Sequence, residues 1–196
     1  MLKVGVTGGI GSGKTMVCKV FSVLGIPVFN ADEEAKNIIN SDQDVIAILK
    51  SLFGSDIYVN HVIDRKKLAD IIFNDKNALK KINALIHPKV RGNFNSWSEQ
   101  YAHLPFVIME AAILFESGGN KDLDYTIAVN ASEEVRIERV MLRDNISEEK
   151  VCERMKNQMN NDELIKMADF IINNDNEAMI LIQILDIYKK ITELKR

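Results

Sequence analysis

Eight residues near the start of the chain, Gly8-Gly9-Ile10-Gly11-Ser12-Gly13-Lys14-Thr15, have the spacing G-x-x-x-x-G-K-S/T directly after the apolar run Val4-Gly5-Val6. Glycines at this density let a backbone curl until successive amide hydrogens face inward, and a helix that begins there adds the positive end of its dipole. Such a loop cradles a polyphosphate. Lys14 is the residue type that reaches the outer phosphates, and the Thr15 hydroxyl is the type that holds the magnesium ion accompanying them. Two carboxylates stand where they could serve the same place. Asp32 follows the short run Ile26-Pro27-Val28-Phe29, and Glu110 ends the run Phe106-Val107-Ile108-Met109. In an open parallel sheet the ligand crevice lies beyond the carboxyl ends of the strands, so both acids have a functional reading. Each also has a structural one. Asp32 is placed to cap the helix that starts at Glu33, and Glu110 to cap a helix over Ala111 to Glu116. Further on, Arg139 and Arg143 are four apart and share a helical face, able to neutralise charge passing between phosphates or to pair with Glu133, Glu134, Glu138 and Asp144.

These residues require strands that end together and helices that return the chain between them. Val17, Val20, Phe21 and Leu24 follow the loop at helical spacing, and Gly25 stops that helix. Strands are expected at Val4-Gly5-Val6, Ile26 to Phe29, Phe106 to Glu110, Tyr125 to Val129 and Asp169 to Asn173. Between the second and third of these, helix follows helix: Val45, Ile48, Leu49 and Leu52 share a face, as do Leu68, Ile71 and Ile72, and then Leu79, Ile82, Leu85 and Ile86. No strand is expected there, and the stretch exceeds what a crossover needs, so it reads as an inserted helical lobe. Gly54 and Asn60 mark turns in it, and Pro88 interrupts the helical pattern at His87, which reads as structural or as a site residue. A last helix carries Ile180, Ile184, Ile187, Ile191 and Leu194 inward, with Lys189, Lys190, Lys195 and Arg196 towards its end.

Composition narrows the classes further. Charged residues make up 27% of the 196-residue chain, the hydrophobic share is 46%, and the formal charge is −3, which argues against disorder and against a surface that coats nucleic acid. Cys18 and Cys152 fit no metal or redox spacing and suit reduced thiols in a cytoplasmic protein. Neither a signal sequence nor a membrane span is expected.

Together these stretches resemble the dephospho-coenzyme A kinases nearly end to end. Thr7-Gly8-Gly9-Ile10-Gly11-Ser12-Gly13-Lys14 is similar to that family's phosphate loop, and Leu24-Gly25-Ile26-Pro27-Val28-Phe29-Asn30-Ala31-Asp32 to its second-strand stretch. Asp64-Arg65 with Leu68 and Phe73, then Asn83-Ala84-Leu85-Ile86-His87-Pro88, resemble its helical lobe, and Leu114-Phe115-Glu116 a later landmark. Arg139, Arg143, Arg154, Gln158, Ala168-Asp169 and Asn174 stand at its lid and last-strand positions. The resemblance implies an α/β, P-loop kinase-like single domain. Its parallel five-stranded sheet is flanked by helices (core 1–32, 104–138 and 167–196), with a helical substrate-binding insertion at 33–103 and a lid at 139–166. It implies ATP as phosphoryl donor with Mg2+, and dephospho-coenzyme A as the small-molecule acceptor, phosphorylated on its ribose 3′-hydroxyl. Asp32, Lys14 and Arg143 would be catalytic. Gly9, Ile10, Gly11, Ser12, Gly13, Lys14, Thr15, Arg139 and Asn174 would bind ATP. Asp32, Arg65, His87 and Glu110 would meet the acceptor, and Thr15 would hold magnesium, with Glu110 assisting through water.

The chain departs from the family pattern at Asn30, Glu110, Ala112, Leu164 and Asn176, changes that bear on rate and nucleotide preference more than on reaction class. A kinase for another small acceptor, such as a nucleoside, nucleotide or shikimate-like alcohol, and a non-catalytic ATP-binding regulator are the competing readings. A GTP switch lacks its guanine motif, since Asn173-Asn174-Asp175 is followed by Asn176. No nucleic-acid or membrane partner is expected, and the oligomeric state is left open, a monomer being compatible.

Overall fold

The structure, a computed structural model, describes residues 1–175 and 179–194. Asn176, Lys195 and Arg196 lie outside the described residues, as does the side chain of Phe73. In chain order the elements are β1 (Leu2–Thr7), α1 (Lys14–Val23), β2 (Val28–Asn30), α2 (Ala31–Ser41), α3 (Gln43–Phe53), β3 (Tyr58–Val59), β4 (Val62–Ile63), α4 (Arg65–Asn74), α5 (Lys76–Glu99) and β5 (Phe106–Glu110). Then come β6 (Tyr125–Asn130), α6 (Glu133–Asp144), α7 (Glu148–Met155), α8 (Asn161–Met167), β7 (Phe170–Asn173) and α9 (Ile180–Leu194). Two compact units emerge, one of residues 1–30 and 97–196, the other of residues 31–96.

The larger unit is built on a five-stranded sheet in the order β2-β5-β1-β6-β7, every pairing parallel. Strands buried on both faces read as continuous apolar runs, and β5 is buried along its whole length. Register brings strand ends level: Val6 of β1 lies opposite Glu110 of β5, which is also opposite Asn30 of β2, while Asn130 of β6 faces Asn173 of β7. On one side the sheet is covered by α1 and α9, whose Val17, Phe21, Ile184, Ile187 and Ile191 join Val4, Val6, Phe106, Ile108, Ile127, Val129 and Ile172 in one core. Phe21 and Phe106 meet edge to face, with ring centroids 6.1 Å apart. The helix expected over Ala111 to Glu116 is instead a series of turns, and Gly118 at φ +68° leads into the next turn, so Glu110 caps no helix.

The smaller unit is mostly helical, with two departures from the expected pattern. A two-residue hairpin joins β3 to β4 antiparallel, its turn formed by Asn60 and His61 at φ +50° and +66°, the combination that matches the twist of the flanking strands. The other departure is α5, which runs unbroken through Pro88. Proline removes one backbone hydrogen bond, yet Ile82, Ile86, Val90 and Phe94, spaced by four, are all buried and hold both halves of the helix on one stripe. On α3 the buried pair is Val45 and Leu49, while Ile48 and Leu52 are largely exposed. Asp42 caps α3 through the Asp44 and Val45 amides and receives Lys89 of α5, and Asp64 caps α4 through the Lys66 and Lys67 amides.

Replacing Phe21 by Ala would remove the largest side chain between α1 and the sheet, leaving a cavity that its fully buried neighbours cannot close. A loss of about 3–5 kcal/mol in unfolding free energy is expected from urea titration.

Candidate active site

The glycine loop joins the central strand β1 to α1. Gly11 and Gly13 have φ of +82° and +94°, a region open to glycine at little cost. Space forbids side chains as firmly as the dihedrals do. A Cβ on Gly9 would lie 2.4 Å from Arg136 Nη1, on Gly11 2.4 Å from the Arg136 carbonyl oxygen, and on Gly13 2.3 Å from Asn174 Nδ2. The first turn of α6 and the end of β7 therefore wall the loop in. Inside it, the Lys14 ammonium donates to the Gly8 and Gly9 carbonyls. The buried hydroxyls of Thr7 and Ser12 have no hydrogen-bond partner among the described residues, a polar lining of the kind that a phosphate-bearing ligand would satisfy.

Beside the loop, the Thr15 hydroxyl donates to Glu110 Oε1 at 2.8 Å. The register of β1 with β5 makes this contact possible, because it sets the end of β5 alongside the residue that leads into the loop. Glu110 is buried, and the Cys18 thiol, one helical turn beyond Lys14, lies beside it; burial first, then the Glu110 charge, push that thiol far above its usual range. Cys18 is thus a neutral neighbour of the acid. A hydroxyl and a carboxylate are hard oxygen donors suited to magnesium. Among the described residues no group of three or more His, Cys, Asp or Glu is placed to hold a metal ion.

The remaining expected residues are distributed unevenly. Asn174 donates to the Ser12 carbonyl at 2.8 Å, and Arg139 Nη1 comes within 4.0 Å of the position a Gly13 Cβ would take, so both border the loop. Arg143 does not reach it. Its guanidinium forks onto Asp144, which also accepts from Arg154, and these contacts, Arg143 foremost, hold the Asp144 carboxyl down at about 2. Asp32, Arg65 and His87 belong to the smaller unit. Asp32 is exposed in the first turn of α2, Arg65 opens α4 behind its Asp64 cap, and His87 is half-buried on α5. Burial, and secondarily the Arg91 charge, lower the His87 pKa and favour the neutral ring.

Three features of the loop's surroundings were not legible in advance. Arg136 is buried against Gly9 and Gly11, and burial lowers its pKa. Cys18 lies beside the acid, whose charge adds to burial in raising the thiol's pKa. The turn after α7 contacts the loop directly, since the Ile10 amide donates to Gln158 Oε1 at 2.8 Å. Arg136, Gln158, Asn161 and Asp175 also line a cavity of about 780 Å³ between the start of α6 and the segment holding α7 and α8.

Comparison with known proteins gives this geometry its context. The dephospho-CoA kinase family model matches residues 2–179. The dephospho-CoA kinase of Bacteroides fragilis is 37% identical over 194 residues, spanning 97% of this chain and 95% of that protein. Among solved structures, a Thermus thermophilus protein superposes with a TM-score of 0.85 at 32% identity, covering 96% of each chain. The dephospho-CoA kinase of Campylobacter jejuni does so at 0.72 and 28%, covering 99% of this chain and 98% of its own. With a phosphate loop at the centre of a parallel sheet and a family match over most of its length, the chain belongs to the dephospho-CoA kinase family.

Proposed function

We propose that this chain transfers the terminal phosphoryl group of ATP to the ribose 3′-hydroxyl of dephospho-coenzyme A, giving coenzyme A and ADP. The observation that carries the chemistry is the convergence on one loop of an ammonium, Lys14, and a touching hydroxyl–carboxylate pair, Thr15 and Glu110. In phosphoryl transfer the protein's task is positioning and charge stabilisation, and these groups meet both needs. Loop amides and Lys14 would bind the outer phosphates, and Arg139 and Asn174 the nucleoside end. Thr15, with Glu110 through water, would hold magnesium, whose charge offsets that of the phosphates.

The acceptor belongs to the helical unit in this reading. Arg65 and His87 would meet it, and Asp32, placed two residues past the end of β2, would take the proton of the 3′-hydroxyl as its oxygen bonds to phosphorus and the bond to the ADP oxygen breaks. Arg143 would leave its exposed pairing with Asp144, which costs little to open, and turn to the phosphoryl group as a lid at 139–166 closes. Closure matters because water competes with the alcohol for the same phosphorus. No helix among the described residues is long and apolar enough to cross a membrane. A cytoplasmic enzyme is part of the same proposal.

ADP release with magnesium and ATP should require dephospho-coenzyme A and remain at background with adenosine, nucleoside monophosphates or shikimate. Turnover with one of those acceptors instead would move the chain to a different small-acceptor kinase, and nucleotide binding without transfer would favour a regulator. For Asp32, substitution by Asn should lower kcat about 100-fold or more while leaving the affinity for an ATP analogue nearly unchanged. Unaltered kcat would reduce Asp32 to a residue of the first turn of α2.

A further inference from the structure

The turn between α7 and α8 is pinned where it passes the phosphate loop. The Met159 amide donates to Glu116 Oε1 at 2.9 Å, Asn160 caps α8 through the Asp162 amide, and Asn161 Nδ2 donates to Asn130 Oδ1 at 2.7 Å. Asn130 in turn donates to Asn173 across the ends of β6 and β7, and Arg136 Nη1 approaches Asn161 Oδ1 at 3.4 Å. These contacts fix the backbone on the carboxyl side of Gln158, and the turn bonds from the Asn157 and Gln158 amides to the Arg154 and Met155 carbonyls, at 3.3 and 3.0 Å, fix it on the other. The Gln158 carboxamide oxygen accepts the Ile10 amide at 2.8 Å. The Ile10 N–H belongs to the run of loop amides that a phosphate oxygen would otherwise engage. A neutral carboxamide is well suited to this position. It offers an oxygen to the amide without adding negative charge beside a polyphosphate, and it carries a second, donating nitrogen on the same group.

From this geometry we infer that Gln158 is a positioning residue for phosphoryl transfer, acting through the Ile10 amide. By taking that N–H it fixes the peptide plane at Ile10, so that the neighbouring loop amides stay directed into the cradle, and it couples the loop to the turn leading out of α7, the helix that carries Arg154. The inference rests on the kinase reading of the loop and adds a role for a side chain outside it. Preorganised donors accelerate a reaction because they need not reorient as charge develops, so loss of Gln158 acts on turnover more than on nucleotide capture. A looser loop also favours transfer to water over transfer to the alcohol.

The test compares the parent enzyme with Gln158→Ala and Gln158→Glu, using magnesium, ATP and dephospho-coenzyme A. Ile10 amide exchange with water is followed by NMR, and folding by thermal melting. Gln158→Ala should melt like the parent, exchange the Ile10 amide about tenfold faster, lower kcat about tenfold with the KM for ATP little changed, and release more ADP per phosphorylated acceptor. Gln158→Glu keeps an acceptor for Ile10 but sets a carboxylate beside the phosphates. It should restore the slow amide exchange while raising the KM for ATP about tenfold. This crossed pattern is not what a general packing defect gives. The proposal is overturned if Gln158→Ala matches the parent in kcat, ADP-to-product ratio and Ile10 exchange, or if both variants lose activity together with a lowered melting temperature. An inactive parent enzyme that still binds ATP would overturn the kinase reading and this inference with it.

Discussion

A backbone that turns its amides inward around a phosphate leaves no room for side chains on its outer surface, and the architecture of the larger unit follows from that constraint. At Gly9, Gly11 and Gly13 the neighbouring atoms belong to Arg136 and Asn174, so α6 and the end of β7 must be in place for the loop to hold its shape. The sheet provides that placement. With β1 at its centre and β6 and β7 on one side, the strand ends that launch α6 and the segment after β7 arrive next to the loop. The loop is therefore as much a product of tertiary packing as of its own glycines.

The opposite side of β1 supplies the acid. Glu110 reaches Thr15 because β5 pairs in parallel with β1 in a register that sets Val6 against Glu110. A one-residue slip would turn the acid to the other face of the sheet and break the contact. Burying a carboxylate this deeply is costly unless it is hydrogen-bonded, and the Thr15 hydroxyl serves it.

The five strands and the loop were legible because their signals are local: a glycine pattern with few alternatives, and short β-branched runs bounded by turns. What escaped the sequence depended on distance or on competition. The β3–β4 turn uses Asn60-His61, which lacks the glycine that usually announces a hairpin, yet both residues adopt positive φ. At Pro88 a sound local rule lost to four buried side chains on one stripe. After Glu110 the chain turns instead of forming a helix, removing the capping alternative that residue order left open. In the site, Lys14 and Thr15 declared themselves by spacing, whereas Gln158 meets Ile10 across 148 residues and no local pattern points to such a contact. Arg143 was readable as a charge on the right face, but the adjacent Asp144 claims it.

The loop's central task is to deliver a phosphoryl group to one particular oxygen. Phosphorus NMR of the product formed from magnesium, ATP and dephospho-coenzyme A tests that delivery most directly. A single new phosphomonoester resonance, coupled to the ribose 3′ proton and equal in amount to the ADP formed, is the predicted result. Phosphate appearing on a different oxygen, or only as the free inorganic ion, would contradict it.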